Sequence, residues 1–581
     1  MSKHELARIF NEIGLLLEIK GENPFKARAY YKAARTVENL DRELDELIRE
    51  DRLKSIPGFG RAIVQKILEW RATGTIRYYE ELKQLLPAGL FDLLRVPGLG
   101  PKKIATLYST LKITDLEMLE RACQQNQLLT LPGFGVKTQA KICAGIEFLK
   151  EHRQSFLWAV GMEWALKIRE HLTAHPQVSQ FEIAGDLRRY LPVSTQINLV
   201  AAANEPQLVT AFWSSPAFHQ SLGLNAEAFT DRGGNTPSLV LPNGIKVDLT
   251  IVKPEAFPHT LLFLTGSAEH TAALQRLAQE KGLALEAEPL RKDQEYIDCR
   301  DEAEIYQKLG LSYIPPELRE NQGEIEAAAA GNLPQLVTAD DLQGIFHVHT
   351  TASDGISSLR EQVEASIAAG FKYLGIADHS RSAFYAHGLN NDALARQWTE
   401  IDRLNKEYPN FTILKGIEAD ILPSGELDYD PETLAKFDFV IGSIHSQFRM
   451  TESEMTSRIL KAMDNPFLTM LGHPTGRILL ERPAYAIDLE AVIDKAARTG
   501  VILEFNANPY RLDLDWQWCR RAKQKGVLIA INPDAHSTSE LELVRSGVLF
   551  ARKGWLTKED VFNTRSAQEI LAYLKKRRDR S

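Results

Sequence analysis

Ile345-Phe346-His347-Val348-His349-Thr350-Thr351-Ala352-Ser353-Asp354-Gly355 decides how the C-terminal part of this 581-residue chain folds. A short apolar run ends in two histidines, and a carboxylate follows. Strand alternation would put His347 and His349 on one face, where two imidazoles can share one or two metal ions. Six further runs have the same look: Tyr373–Ala377, Thr412–Glu418, Asp438–Ile444, Leu468–Gly472, Val501–Phe505 and Val527–Ile531. Helical stretches separate them, so parallel βα units closing into a barrel are expected. Polar residues collect at the C-terminal ends of these runs: Asp378-His379, Glu418, His445, His473-Pro474 and Asp534-Ala535-His536. Active sites of βα barrels lie at that end. One histidine at a strand end is usually structural; repetition over six strand ends points to metal. Imidazole with carboxylate suits Mn²⁺, Zn²⁺ or Fe²⁺ better than Mg²⁺.

Composition sets the frame around this barrel. The chain is 44% hydrophobic and 25% charged, an ordinary globular balance, and long enough for several domains. It shows no N-terminal apolar leader and no membrane-length apolar run, so no membrane partner is expected. Four scattered cysteines without a CxxC argue against a disulfide framework or zinc ribbon and fit a reducing cytoplasm. The net charge of −8 speaks on its face against nucleic acid. Residues 1–150, however, carry 24 Lys/Arg against 19 Asp/Glu, a net of +5, which leaves −13 for the remainder. Seven of the 14 histidines lie after residue 340.

The basic front contains a repeat. Ile56-Pro57-Gly58-Phe59-Gly60, Val96-Pro97-Gly98-Leu99-Gly100 and Leu131-Pro132-Gly133-Phe134-Gly135 are spaced by 40 and 35 residues. Each precedes a helical stretch with basic residues. Glycines let a backbone approach a ligand closely, and N–H groups at a helix start face an anion. Arg61, Lys102, Lys103 and Lys137 add charge. Such contacts grip a nucleic-acid backbone without reading sequence. A single copy would be a tight turn; three copies resemble the helix-hairpin-helix DNA-binding motif. Gly58, Gly60, Gly98, Gly100, Gly133 and Gly135 are therefore the candidate DNA contacts, together with the four basic residues.

Asn23-Pro24-Phe25-Lys26 and Arg28-Ala29-Tyr30-Tyr31-Lys32-Ala33-Ala34, with the first hairpin, resemble the small lyase domain of family X DNA polymerases. In that family a lysine after the first hairpin attacks an abasic-site sugar. The resemblance assigns that role to Lys66, although the second lysine often found four residues earlier is Ala62 here. Neighbouring cations or burial would have to lower its pKa. Farther on, Ile183-Ala184-Gly185-Asp186-Leu187-Arg188-Arg189, Val193–Val200 and Gly244–Leu249 resemble the family X palm. Leu264-Thr265-Gly266-Ser267 resembles its nucleotide-site stretch. The chemistry differs. Two-metal nucleotidyl transfer needs clustered carboxylates, but the D-x-D positions are Gln196 and Asn198, and only Asp248 remains. Neutral amides hold Mg²⁺ poorly. Asp186 stands where a serine would touch triphosphate, and Tyr190 where a glycine would follow. The resemblance thus implies a fold-intact palm deficient in synthesis and in Mg²⁺.

The C-terminal runs resemble the PHP (polymerase and histidinol phosphatase) domain. That family holds a trinuclear metal centre with nine ligands, and the resemblance assigns them to His347, His349, Asp354, His379, Glu418, His445, His473, Asp534 and His536. Ile345 departs from the family's usual Asp but is not a ligand position. Arg477, after His473-Pro474-Thr475-Gly476, is a candidate phosphate contact. The implied fold class is multidomain: an α-helical helix-hairpin-helix front, an α+β family X palm and thumb, and a distorted (β/α)7 PHP barrel. The expected divisions are 1–80 lyase-like, 81–150 fingers-like, 151–255 degenerate palm, 256–312 thumb-like, 313–340 linker and 341–581 PHP. The order of modules resembles the bacterial PolX family. It implies a metal-dependent 3′–5′ exonuclease of DNA repair, with abasic-site incision a further activity, on gapped or damaged DNA. The expected protein is a monomeric, cytoplasmic and nucleoid-associated one. A phosphatase of small esters, residual polymerase activity and a non-catalytic DNA scaffold are the alternatives.

Overall fold

The computed structural model describes residues 3–578 apart from 39, 41–43, 57, 88, 95, 97, 98, 225–228 and 231–235. Met1–Arg153 and Gln154–Ser581 form two compact units. The first is helical. Its opening helix, Lys3–Ile19, buries Leu6, Ile9, Phe10, Ile13, Leu16 and Leu17, the stripe that the spacing predicts. Helices α1 (Arg61–Thr73), α2 (Pro101–Leu111) and α3 (Val136–Glu151) each start directly after a Pro-Gly-x-Gly, with Gly60, Gly100 and Gly135 as N-caps. The apolar x residue, Phe59, Leu99 or Phe134, is buried in every copy. Its N–H donates to the carbonyl three residues back, at 3.1, 3.0 and 3.1 Å respectively. The repeat is therefore one of geometry as well as sequence.

The second unit contains a five-stranded sheet, which follows the helix Trp158–Thr173. Its strands are β1 (Val178–Ala184), β2 (Gln196–Ala203), β3 (Phe229–Thr230), β4 (Ser238–Val240) and β5 (Lys246–Val252), in the order β1-β2-β5-β4-β3. Parallel pairing of β2 with β5 sets Asn198 opposite Asp248. Helices Phe257–Thr265, Ala268–Glu280 and Glu302–Lys308 follow. Ile314, Leu318, Ile325 and Ala328 share a core with Leu262, Leu274 and Ile305 of these helices. The stretch 313–340, expected as a linker, is thus packed rather than a free tether. Its Pro and Ala content hides four apolar anchors.

Seven parallel strands form the barrel: β6 (Gly344–Val348), β7 (Tyr373–Ile376), β8 (Thr412–Lys415, resumed as Glu418–Asp420), β9 (Ile441–Ser443), β10 (Met470–Leu471), β11 (Ile502–Asn506) and β12 (Ile529–Asn532). Each pairs with the next. A parallel bridge from Val348 to Ala535 joins the first to the last. The inner cluster takes Phe346, Tyr373, Leu414, Phe439 and Ile502, and Phe562, Ile570 and Leu574 from the C-terminal segment pack with it. Glycine makes room for the large rings: a Cβ on Gly416 would lie 2.1 Å from the Phe439 ring. The outer face of the strands joins Leu394, Ile401, Val492 and Val548 of the surrounding helices.

Candidate metal centre and nucleic-acid interface

The strand ends of the barrel bring nine side chains to one place. Glu418 is central. Its carboxylate lies 3.3 Å from His347 Nε2, 3.7 Å from His349 Nε2, 2.9 Å from His379 Nδ1, 3.2 Å from His445 Nε2 and 3.0 Å from His473 Nε2. Asp534 Oδ1 is 3.5 Å from His347 Nε2 and 3.3 Å from His349 Nε2. Asp354 lies 3.7 Å from His349, 3.6 Å from His379 and 3.5 Å from His536. Four overlapping groups could each hold an ion, and their union is the nine residues that the sequence singles out.

The donor set fits metal better than it fits itself. Ligands about 2.0–2.2 Å from a common ion sit roughly 3–3.5 Å from one another, the separation seen here. His347 Nε2, both ring nitrogens of His349, His379 Nδ1 and Glu418 Oε2 are buried without a hydrogen-bond partner. Each such atom costs about 1–3 kcal/mol unless something satisfies it. Divalent ions would satisfy Glu418 Oε2 and one nitrogen of each ring.

Local backbone aims these groups. His347 has φ +60°, within a register irregularity between Ile345 and Val348. Phe346 belongs to the inner cluster, while Ile345 and Val348 belong to the outer layer. Simple alternation is therefore broken: a bulge, not an even pleat, turns His347 and His349 to the same cluster. His473 and Asp534 also have positive φ, +25° and +53°. Such backbone strain, roughly 1–3 kcal/mol per residue, collects at functional sites.

Carboxylates behind the ligands fix their tautomers. His347 Nδ1 pairs with Glu504 Oε1 and His445 Nδ1 with Asp420 Oδ1, both at 2.6 Å, which leaves each Nε2 facing Glu418. Glu504 also accepts from the His473 backbone N–H at 2.7 Å and from Asn532 Nδ2 at 2.9 Å. Asp378 is not in the cluster; it accepts from Thr350, Ser353 and Gln397 and braces the loop after β6.

Charge is shared unevenly. Burial alone would push the Glu418 carboxyl up, but His445, His379 and His347 outweigh it and hold it well below the carboxylate range. Burial opposes protonation of His445, yet Glu418 and Asp420 raise it to about 10. His536, likewise opposed by burial, is raised to about 9 through Asp354 and Asp534. His349 is lowered to about 4 by burial and by His536. Without ions, protons occupy part of the site.

Two arginines of the strand-end loops have different partners. Arg477 donates to Arg511 O at 3.0 Å, to Asp515 Oδ2 at 3.1 Å and to Leu512 O. It clamps the loop after β11 and has no contact to any of the nine ligands. Arg511, which that clamp supports, lies 3.6 Å from Asp534 Oδ2 and remains partly exposed. No sequence pattern marks Arg511. Glu504 left a faint signal, a single carboxylate inside an otherwise apolar strand.

The palm positions are held by other bonds. Gln196 Nε2 donates to Asn198 Oδ1 at 3.1 Å. Asp248 accepts from Ser238 Oγ at 2.5 Å and pairs with Lys246, so a cation of the chain itself meets the one remaining carboxylate. Asp186 accepts from Arg189 at 2.7 Å. Arg188 pairs with Glu302, and Arg189 with Glu320.

In the helical unit, Gly58 and Gly133 have φ +100° and +81°. Gly98 lies outside the described residues. A Cβ on Gly60, Gly100, Gly133 or Gly135 would meet no atom within 4 Å. Packing does not demand glycine there, and the open space suits close approach by a phosphate backbone. Arg61, Lys102 and Lys137 are exposed beside these turns, and Lys103 half-buried. Lys66 Nζ sits 4.9 Å from the centre of the Tyr78 ring and 5.9 Å from that of Tyr30. Burial lowers its pKa, Glu69 opposes this and Lys26 adds to it.

Residues 1–76 match the helix-hairpin-helix domain, 90–147 the SAM-like helix-hairpin-helix tandem, 260–320 the DNA polymerase beta thumb and 346–508 the PHP domain. The DNA polymerase/3′-5′ exonuclease PolX of Bacillus subtilis is 37% identical over 581 residues, 99% of this chain and 100% of that protein. A probable phosphatase of Clostridium acetobutylicum is 28% identical over 242 residues, 40% of this chain and 93% of its own length. Another, of Thermoanaerobacter sp., is 26% identical over 245 residues, 40% of this chain and 94% of its own.

Proposed function

This chain belongs to the PolX family, and from that membership we propose that it is a metal-dependent 3′–5′ exonuclease whose reaction takes place in the barrel. The observation that carries the reading is the convergence of six histidines on Glu418, Asp534 and Asp354 at the C-terminal face. Bound divalent ions, three in our reading and most simply Mn²⁺, would supply Lewis acidity toward a phosphodiester and lower the pKa of water. The chain does the rest. Glu504 and Asp420 hold His347 and His445 in the ligating tautomer. Arg511 offers a guanidinium to a phosphate beside Asp534. The hairpins of the front unit hold the DNA backbone, and gapped or damaged ends are the substrates that suit a repair role. The protein acts as a monomer in the cytoplasm, at the nucleoid. Residues 151–255 serve as a platform for DNA rather than a polymerase, because Lys246 and the Gln196–Asn198 pair occupy the metal positions.

End-labelled gapped DNA with Mn²⁺ tests this reading. The wild type should shorten the 3′ end, whereas His347→Ala and Asp534→Ala should lose at least a hundredfold in rate. Retained activity in both variants would sink the assignment. The phosphatase relatives favour a second reading, hydrolysis of small phosphate esters. Phosphate release from histidinol phosphate outpacing nucleotide release from DNA would establish it. Lys66 adds a proposed lyase step. Its amine, desolvated beside Tyr30 and Tyr78 and reacting in its neutral form, would condense with the C1′ aldehyde of an open-chain abasic sugar, releasing water and leaving a Schiff base. Borohydride should then trap the wild type on incised abasic DNA but not Lys66→Ala.

A further inference from the structure

The loop after β7 lifts two aromatic side chains into solvent at the mouth of the ligand cluster. Phe384 is 85% exposed and Tyr385 68%. The backbone beneath them is pinned. Ser380 N donates to Glu418 O, Gly388 N to Ala383 O and Leu389 N to His379 O. Ser382 N donates to Asp428 Oδ2 at 2.6 Å. Ala383 and Ala386, on either side of the pair, are fully buried. The two ends of the loop approach so closely that a Cβ on Gly388 would lie 1.8 Å from Ser380 O. A loop fixed this firmly presents its aromatic residues in a set position.

Isolated exposed apolar residues are common and mean little. Position distinguishes Tyr385, which Phe384 adjoins in the chain. The Tyr385 ring centre is 6.1 Å from that of His379 and 6.5 Å from that of His445, two of the nine ligands. Arg511 lies 3.6 Å from Asp534 Oδ2, another of the nine. The mouth thus combines a flat apolar surface, a guanidinium beside Asp534 and the ligand cluster itself. A nucleotide unit needs these three in that order: something to stack its base, a cation for its phosphate and the reacting centre.

We propose that Phe384 and Tyr385 form a stacking platform for the terminal nucleobase of a DNA 3′ end, with Arg511 facing the adjoining phosphodiester. The proposal rests on the exonuclease reading and adds what selects the substrate. Stacking tolerates any base, since every base has a π face, so the platform accepts all sequences. It favours a nucleotide over a phosphate ester that carries no ring. Arg511 alone would not make that distinction.

The test uses the full chain with Mn²⁺ and two oligonucleotides, one ending in a normal thymidine and the other in a base-free tetrahydrofuran nucleotide. The wild type should remove the normal terminus at least tenfold more efficiently, mainly through KM. In the Phe384→Ala/Tyr385→Ala double variant the ratio should fall towards one, and Phe384→Trp should preserve it. Because both side chains are exposed, the melting temperature should not move. Equal wild-type efficiency on the two ends, or a preference that survives the double substitution, would overturn the platform while leaving the exonuclease reading intact. Absence of metal-dependent release from either end would overturn both, and that outcome is recognisable in the wild type alone.

Discussion

Glu504 shows how much one buried carboxylate can control. It is fully buried and meets His347 Nδ1, the His473 backbone and Asn532 at once. Glu504→Gln keeps the shape but removes the charge that holds the His347 tautomer. Such partners are typically worth about 10–100-fold in metal affinity, and a Mn²⁺ titration should show that loss with the fold intact; unchanged affinity would remove Glu504 from this role. Protons make a second prediction. In metal-free protein His445, near 10, and His536, near 9, keep their protons at neutral pH, whereas ligating imidazoles must be neutral. Metal uptake should therefore release protons, and affinity should rise from pH 6 to 9. Calorimetry in two buffers of different ionisation enthalpy reads the release directly; no difference between buffers would contradict it. The metal-free fold has the opposite trend. Both folded pKa values lie above the unfolded value of about 6.5, so their stabilisation is complete below that pH and is lost as pH rises through about 9–10. The clustering of the nine candidate ligands was legible because metal chemistry restricts residue types and a barrel restricts where they fall. Glu504 and Arg511 were not, since neither a lone strand carboxylate nor a loop arginine makes a pattern. The partners of Arg477 were not legible either, because they are backbone carbonyls distant in sequence, those of Arg511 and Leu512.

At the scale of elements, strand and turn geometry carry the function that individual residues express. The seven apolar runs fall on the seven barrel strands to within a few residues, since a fully buried parallel strand reads as continuous apolar sequence. The bulge at His347 was invisible, because positive φ at a histidine is set by the closing strand, where Ala535 N donates to His347 O. The hairpins were legible for a different reason: two glycines at fixed offsets announce a conformation. Their two positions do different jobs, and substitution separates them. Gly133 has φ +81°, so Gly133→Ala should cost about 1 kcal/mol or more of stability in the front unit. Gly135 caps α3 with φ −77° and open space around a built Cβ. Gly135→Ala should leave the melting temperature almost unchanged and weaken DNA binding, because the methyl group stands where a phosphate would approach. Thermal melts beside fluorescence-anisotropy titrations at fixed salt distinguish the two. Equal effects on stability would mean that both glycines serve only the turn.

Across the whole molecule, the net charge of −8 conceals a basic hairpin unit and an acidic remainder whose carboxylates include three of the ligands. The acidic remainder also contains the interface between palm and barrel. Helix α4 (Leu543–Arg552) presents Phe550 to Trp158 at 5.1 Å and to Tyr190 at 5.9 Å between ring centres. Arg552 donates to Glu317 Oε1 at 2.6 Å. The buried Lys553 reaches Arg189 O at 3.3 Å, Glu317 O at 3.4 Å and Glu320. Tyr190 and Arg189 stand in the stretch that resembles the palm's nucleotide signature. Here their contacts are with the barrel and with Asp186 and Glu320. Residues of this stretch fasten the five-stranded sheet's region to the barrel. Such an arrangement makes palm and barrel melt together. Lys553→Ala would take one of two cations from Glu320, leaving it to Arg189, and would leave two carbonyls without a donor; the cost stays below the about 3–5 kcal/mol of a buried charge left wholly unpaired. Differential scanning calorimetry should find one transition for residues 154–581 in the wild type. In Lys553→Ala that transition should fall by several degrees or split in two, while Mn²⁺ binding at the distant strand ends persists. A transition that neither shifts nor splits would mean that palm and barrel are stable apart, and that these residues hold nothing together.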